Sequence, residues 1–362
     1  MKTLISMNGR FLCRPQSGVD RTATELGLKL AAELGPSTFR VLVPAAKANS
    51  KLVVDHPLYK FSRPAGRFLG SGYIWEQIAL PLATRGSWLL SCCNMGPVAK
   101  KNQLVIIHDA QVREFPKSYS WSFRTAYRLL QPLLARRAKI LVTVSTHSKR
   151  MLRKYRIVGA SDVSVVPNGC DHIDELTPDM DYLSKVGLKD RKYFLCLAGA
   201  GEHKNLNLAI EAFSKVKDYS VSLAIAGGGL SRSQLNHCAS FKGRIKVLGR
   251  VTDEELVALY EKCTCFVFPS KTEGFGLPPL EAMRRGAIVV CSRGGALPET
   301  CGAGAIYVDS LDPEKWADTL MLLLEDASIR DAQTTLGFKN SERFKWDESA
   351  RKICNLVEER IK

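Results

Sequence analysis

The 362-residue sequence has no apolar run approaching the roughly 20 residues that span a bilayer; stretches such as 104–107 and 287–290 are far too short, so no integral membrane helix is expected. No repeat or low-complexity segment interrupts it, and 45% hydrophobic content suits a chain with real cores. The eleven cysteines contain no CxxC pair and no regular framework, and the six histidines are scattered, so reduced thiols and no structural zinc are expected. The opening Met1 to Met7 is too brief and weakly charged for a secretory signal, which points to the cytosol. Acid is scarce in one half: residues 1–170 hold 26 Lys+Arg against 8 Asp+Glu, a net of +18, while residues 171–362 hold 26 against 28, a net of −2. Such a basic half attracts polyanions, whether nucleic acid, anionic lipid headgroups or a phosphorylated acceptor; a solvated basic face without a partner is the plain alternative.

What is present is alternation. Strand-like apolar runs over 3–7, 40–43, 88–91, 104–108, 140–145 and 163–166 are separated by helical patterns over 23–34, 122–138 and 148–155. A second series has strands over 193–197, 221–226, 245–248, 265–268, 288–291 and 305–308, with helices over 206–216, 253–262, 280–285 and 313–325. The pattern predicts an α/β chain of two Rossmann-like, doubly wound domains, residues 1–170 and 171–345, with Pro167-Asn168-Gly169 and the charged stretch 171–190 as linker. Two such domains facing each other would aim their βα loops into a shared cleft.

The densest signal is Pro269-Ser270-Lys271-Thr272-Glu273-Gly274-Phe275-Gly276-Leu277-Pro278-Pro279-Leu280-Glu281. A buried strand ends in a glycine-containing loop and prolines start a helix, a place where main-chain N–H groups meet an anion. Glu273 and Glu281, eight positions apart, could each grip vicinal hydroxyls; the bland reading makes Glu281 a helix-dipole charge and Glu273 a loop charge. After the first strand of the second series, Gly199-Ala200-Gly201-Glu202-His203-Lys204 puts Lys204 at a helix entry, where a cation could meet a departing diphosphate or simply be solvated. His108-Asp109 follows a strand, and a lone histidine there could equally be a satisfied core residue. Gly18 opens the first helix, as a phosphate contact or a plain turn glycine. Asp179-Met180-Asp181 looks like a metal-binding DxD but stands away from any strand end, and Gly227-Gly228-Gly229 lacks a dinucleotide fingerprint.

The string from Glu273 to Glu281 resembles the E-x7-E signature of family 4 retaining glycosyltransferases, continued by Arg284-Arg285-Gly286 and Leu297-Pro298-Glu299. The resemblance runs from Asn8-Gly9-Arg10-Phe11 through Val166-Pro167-Asn168-Gly169 to Phe344-Lys345-Trp346-Asp347, and is most like bacterial polysaccharide and lipopolysaccharide mannosyltransferases. It implies the GT-B fold, with a final helix (346–362) crossing back to the first domain, which would be the acceptor side. It implies catalytic roles for Glu273, His108 and Lys204. Donor-binding roles would fall to Glu281, Gly274, Phe275, Gly276, Leu277, Gly18, Gly201, His203, Arg250 and Val251. Relatives commonly carry Arg where this chain has His203, which would help only if protonated. The implied reaction is metal-independent, with no cofactor, and moves a hexose, mannose from GDP-mannose being favoured, to a saccharide or lipid-linked acceptor.

Asp109, Arg124 and Arg128 are acceptor-side candidates. Between 121 and 139, Phe123, Tyr127, Leu130, Leu133 and Leu134 alternate with Arg124, Arg128, Arg136, Arg137 and Lys139. That pattern fits either a helix lying on anionic lipid at the inner face of the cell membrane or an ordinary core-facing helix. Aromatic partners would be Tyr59, Phe61, Phe68, Tyr73 and Trp75, among Lys60, Arg63 and Arg67. No nucleic-acid partner is expected, since stacking platforms of RNA-binding type are missing. The competing readings are an epimerase or phosphorylase of the same architecture and a non-enzymatic nucleic-acid- or membrane-binding protein.

Overall fold

A computed structural model describes residues 4–66, 70–159, 162–199 and 201–361. Thr3, Arg67, Phe68 and Ala200, named above, lie outside the described residues. The chain forms two compact units: residues 1–169 with 345–362, and residues 170–344.

Unit 1 is built on a parallel sheet of β1 (Ile5–Asn8), β2 (Phe39–Pro44), β3 (Ser62–Ala65), β4 (Trp88–Ser91), β5 (Gln103–Ile106), β6 (Ile140–Thr143) and β7 (Val163–Val165), in the order β3-β2-β1-β4-β5-β6-β7. The central strands are continuous apolar runs because helices cover both faces of such a sheet. Strand β3, of sequence Ser-Arg-Pro-Ala, went unread in the sequence; it is a part-exposed edge strand, where a proline is tolerated. The first helix runs Gly18–Leu34, starting earlier than its apolar periodicity indicates, because Asp20 Oδ2 accepts both the Ser17 amide (3.1 Å) and the Ser17 hydroxyl (2.6 Å) and fixes the first turn. The helix Trp346–Ile361 belongs to this unit: Ser349 donates to the Pro167 carbonyl (2.6 Å) and Lys29 pairs with Asp347 (3.3 Å), beneath buried Trp346, Ile353 and Val357.

Unit 2 repeats the plan with β8 (Tyr193–Ala198), β9 (Ser222–Gly227), β10 (Ile245–Gly249), β11 (Cys265–Phe268), β12 (Val289–Cys291) and β13 (Ala305–Tyr307), parallel, in the order β10-β9-β8-β11-β12-β13. The stretch 171–190 is not a linker. It folds into short helices, Asp171–Glu175 and Met180–Lys185, and is stitched to the unit by Arg284 Nε to Asp174 Oδ1 (2.8 Å) and the Asp179 amide to the Glu254 carbonyl (3.1 Å). The Asp179 carboxylate caps a helix by accepting the Tyr182 amide (3.1 Å). The helix Ala327–Ser341 was not visible in the sequence, because the face it buries is Gly337, Asn340 and Ser341 rather than an apolar stripe. Among the described residues, no helix is long and apolar enough to cross a membrane.

Candidate active site

In both sheets the order reverses beside the first strand, between β1 and β4 in unit 1 and between β8 and β11 in unit 2. Loops leaving the carboxyl ends of those strands diverge, and the gap is where open parallel sheets take ligands.

In unit 2 the loops after β8 and β11 bring Lys204 and Glu273 together, Nζ to Oε1 at 2.8 Å, with the Glu273 side chain nearly buried. The same oxygen accepts the Ser270 hydroxyl at 2.6 Å, so the carboxylate is aimed from two sides. The two loops are also sewn along their backbones, the Lys271 amide donating to the His203 carbonyl at 2.7 Å. Lys204 ends a short 3-10 turn (Glu202–Lys204), after which Asn205 adopts a left-handed conformation (φ 53°) and the helix Leu206–Ser214 begins.

His203 is buried, and burial first and Lys204 second lower its pKa, against the opposing pull of Glu273. Both effects disfavour the charged imidazole beside Lys204. The close approach that Gly201 permits is by this imidazole: a Cβ on Gly201 would lie 2.2 Å from His203 Cε1.

Glu281 lies in the second turn of the helix Leu277–Arg284, beyond the first turn where the helix dipole acts, so the dipole reading does not account for it. Its Oε1 stands 3.1 Å from His172 Nε2, both side chains nearly buried. His172, in the stretch taken from sequence as linker, is a site residue that sequence reasoning missed and that no motif advertised. The helix begins at Gly276 (φ 93°) with no side-chain cap, and its second and third residues are Pro278 and Pro279, which carry no N–H. Any anion at this end would have to be met by the amides of Phe275, Gly276 and Leu277. The Phe275 ring is occupied in the core, edge-on to Phe344 at 5.5 Å, and its carbonyl accepts the Thr300 hydroxyl (2.8 Å), so only its amide faces this duty.

Gly294 and Gly295, also unread in the sequence, let the loop after β12 lie on this turn. A Cβ on Gly294 would be 2.2 Å from the Ser270 carbonyl oxygen and one on Gly295 (φ 68°) 2.3 Å from that of Glu273, while the Ala296 amide donates to the Glu273 carbonyl (2.9 Å). Arg250 is exposed at the end of β10, with Gly228 beside its side chain and Val251 half-buried next to it. Gly227 (φ 102°) is glycine because a Cβ would strike the Ala198 carbonyl at 2.5 Å; the helix Arg232–Ala239 starts later, on its own Ser231 cap, which accounts for the absent dinucleotide fingerprint.

In unit 1, His108 follows β5 and is buried. Its Nε2 donates to the Cys92 carbonyl at 2.7 Å and its amide donates to Asn94 Oδ1 at 2.7 Å. Burial lowers its pKa, so the ring is neutral with its proton on Nε2, and Nδ1 is its acceptor. Asp109 Oδ1 accepts the Gln111 amide (2.9 Å) in a local turn. Gly18 is exposed, and a Cβ there would meet nothing within 4 Å.

The helix Trp121–Arg137 corrects one expectation. Tyr127 and Leu134 face the core and Phe123 stacks on Tyr127 (4.2 Å between ring centroids), so those residues are not a lipid face. The exposed side instead carries Trp121, Leu129 and Leu133 with Arg128, Arg136 and Arg137, while Arg124 is half-buried. Trp75 is likewise core, its Nε1 donating to the Ala65 carbonyl (2.8 Å).

Residues 181–340 match the family model described as glycosyl transferases group 1. The chain is 29% identical over 224 residues to the O-antigen chain mannosyltransferase RfbU of Salmonella typhimurium, and 29% identical over 228 residues to O-antigen chain mannosyltransferase B of Escherichia coli. These alignments take in 61% and 60% of this chain and 60% of each relative, so the chain spans somewhat less than two thirds of the relatives it matches. Among solved structures, sucrose-phosphate synthase from Thermosynechococcus elongatus aligns over 100% of this chain and 99% of its own, with a TM-score of 0.77 at 15% identity. Anabaena HepE in complex with UDP and glucose aligns over 99% and 100%, with a TM-score of 0.73 at 18% identity. With its two parallel sheets, the chain has the GT-B fold and carries a glycosyl transferases group 1 domain, and it resembles family 4 glycosyltransferases of the lipopolysaccharide mannosyltransferase kind.

Proposed function

We propose that this chain is a retaining, metal-independent hexosyltransferase that moves mannose from GDP-mannose to a saccharide or lipid-linked acceptor in bacterial surface-glycan synthesis. The observation that carries the reading is the Lys204–Glu273 pair, 2.8 Å apart at the switch point of unit 2, with Glu281 held by His172 one helix turn beyond the same loop. In this reading Glu281 takes the ribose hydroxyls of the donor and Glu273 takes sugar hydroxyls, through Oε2, the oxygen to which neither Lys204 nor Ser270 donates. Lys204 and the amides of residues 274–277 stabilise the departing diphosphate, supplying the positive charge that relatives commonly draw from Arg and Lys together. The acceptor hydroxyl attacks from the face the diphosphate leaves, so the anomeric configuration is retained, and His108 meets the donor sugar through Nδ1. Gly18 meets the phosphates with its amide; nothing else in its surroundings makes use of the missing side chain.

The mannosyl assignment is supported by the names of the two relatives above, while the solved HepE complexes hold UDP. The outward Trp121, Leu129 and Leu133 beside Arg128, Arg136 and Arg137 support work at the anionic inner face of the cell membrane, the enzyme itself remaining cytoplasmic and peripheral.

Thermal-shift titration with GDP, UDP, dTDP and ADP tests the donor, since a ligand bound by the native state alone raises its melting temperature. GDP is expected to give the largest rise; a larger rise with UDP would move the donor to a uridine sugar. Turnover that collapses in chelator and returns with manganese would refute the metal-independent step. Donor consumption that needs an acceptor separates a transferase from an epimerase.

A further inference from the structure

The helical segment between β3 and β4 turns an apolar stripe outward. Ile74, Ile78 and Leu82, four residues apart, are 63%, 49% and 51% exposed, while Trp75, Ala79 and Leu80 are buried against Leu42 and Leu89. The π-helical turn of this segment, Trp75–Ala79, sends Glu76 inward, where Oε1 accepts Asn8 Nδ2 (2.8 Å) and Oε2 accepts Arg10 Nη1 (2.7 Å). The single acid between β3 and β4 is thereby withdrawn from the surface.

Beside the stripe lies an open groove of about 630 Å³, lined by Ile78, Pro81, Leu82 and Arg85 from this segment and by Lys100 and Lys101 from the connection between β4 and β5. Arg85 precedes β4 and the two lysines precede β5, so the groove sits at the amino ends of these strands, whereas the switch-point loops leave their carboxyl ends. It is no part of either gap described above.

The charge here has one sign. Residues 77–108 contain Arg85, Lys100 and Lys101 and no Asp or Glu, and residues 115–161 again contain no acid. Among the described residues, Arg85 and Lys101 form no ion pair. Lys100 is buried and donates to the carbonyls of Thr84 and Ser87, the latter at 2.8 Å; an ammonium has three protons, so one is left over. Lys139 joins the group, its amide donating to the Lys101 carbonyl (3.2 Å). A free phosphate would make no use of the apolar stripe. Bases of a nucleic acid would need stacking rings, and among the described residues no aromatic side chain lines the groove. A second copy of the chain would bring like charges together. An anion that carries alkyl chains uses both the cations and the stripe.

We propose that this groove holds the headgroup of an anionic phospholipid at a bilayer surface, its phosphate met by Arg85, Lys100 and Lys101 and its acyl chains starting beside Ile74, Ile78 and Leu82. The site stands apart from the donor chemistry and does not rest on the glycosyltransferase reading.

Co-sedimentation of the full chain with phosphatidylcholine vesicles, with and without phosphatidylglycerol, tests it. Binding is expected only where phosphatidylglycerol is present. Arg85→Gln together with Lys101→Gln should weaken it about tenfold or more, each cation near an anionic surface being worth several-fold. Ile78→Ser together with Leu82→Ser should weaken it about fivefold, through lost apolar contact. Lys47→Gln together with Lys51→Gln, which takes the same charge from the β2–β3 connection, should change it little. All six side chains are exposed, so the variants keep the fold, and melting temperature and nucleotide affinity check this. Failure to bind either vesicle, equal binding to both, or an equal loss from the Lys47 and Lys51 pair overturns the proposal. So does displacement from the vesicles by millimolar glycerol 3-phosphate, which would make the ligand a soluble phosphate, or a solution dimer that the Ile78 and Leu82 pair dissociates, which would make the stripe an interface between copies. Absence of nucleotide binding by the wild type would instead overturn the transferase reading and leave the vesicle result standing by itself.

Discussion

The two units share a strand order and differ in what their loops hang at the same point. In unit 2 the gap beside β8 holds a part-exposed lysine, two carboxylates and a helix start stripped of two amides by proline. In unit 1 the corresponding gap beside β1 holds two arginines, each neutralised by a buried carboxylate, and a set of aromatic rings. The sheet decides where a ligand can sit, and the loops decide which ligand it is. Net charge does not separate the two gaps: the cations of both are paired with carboxylates, Arg10 and Arg14 in the half with +18 and Lys204 in the half with −2.

The largest effect that would sharpen this contrast belongs to the Lys204–Glu273 pair. Lys204→Ala is expected to lower kcat by about 10²–10³, the usual cost of removing one charge-stabilising donor, with the melting temperature little changed because the lysine is part-exposed. An equal loss from Arg10→Ala would erase the distinction between the two gaps. Next, Glu281→Ala is expected to weaken nucleotide binding by about tenfold or more, the worth of a hydrogen bond to a charged group, measured by calorimetry. His172→Ala should give a smaller loss in the same assay, as expected of a residue that acts by orienting Glu281.

Gly295→Ala comes third. Its Cβ would meet the Glu273 carbonyl at 2.3 Å in a left-handed backbone, and the expected cost is about 1–3 kcal/mol, read as a lower melting temperature of unit 2 and a displaced Glu273. The smallest effect is on pH. His108 has a lowered pKa in the fold, so the unfolded chain binds the proton more readily, and the stability its burial allows is present above the ordinary value of 6.5 and lost as pH falls through the folded value. Acid melts between pH 7 and 5 should therefore destabilise unit 1, and His108→Gln should flatten that slope.

Much of this was legible in the sequence for a physical reason. Strands buried on both faces write continuous apolar runs, so β4 and β11 were found at their observed limits, and prolines at a helix start marked the turn at Pro278. What was illegible lacked such a signature. Strand β3 is an edge with a proline, the helix Ala327–Ser341 buries polar and small residues, and His172 enters the site from a charged stretch with no periodicity. The helix Trp121–Arg137 has apolar residues on both sides, so its sequence could not tell Tyr127, which faces the core, from Leu129, which faces out. Glu76 was silent because its meaning depends on Asn8 and Arg10, more than sixty residues away, and on a π-turn that no spacing rule announces.

The account stands most directly on calorimetric titration of GDP, UDP, dTDP and ADP into the full chain and its Glu281→Ala variant. It predicts one-to-one binding of one of these nucleotides to the wild type and a loss of about tenfold or more in the variant. Binding of none of the four, or equal binding by both proteins, would contradict the assignment of the Pro278 turn as a sugar-nucleotide receptor.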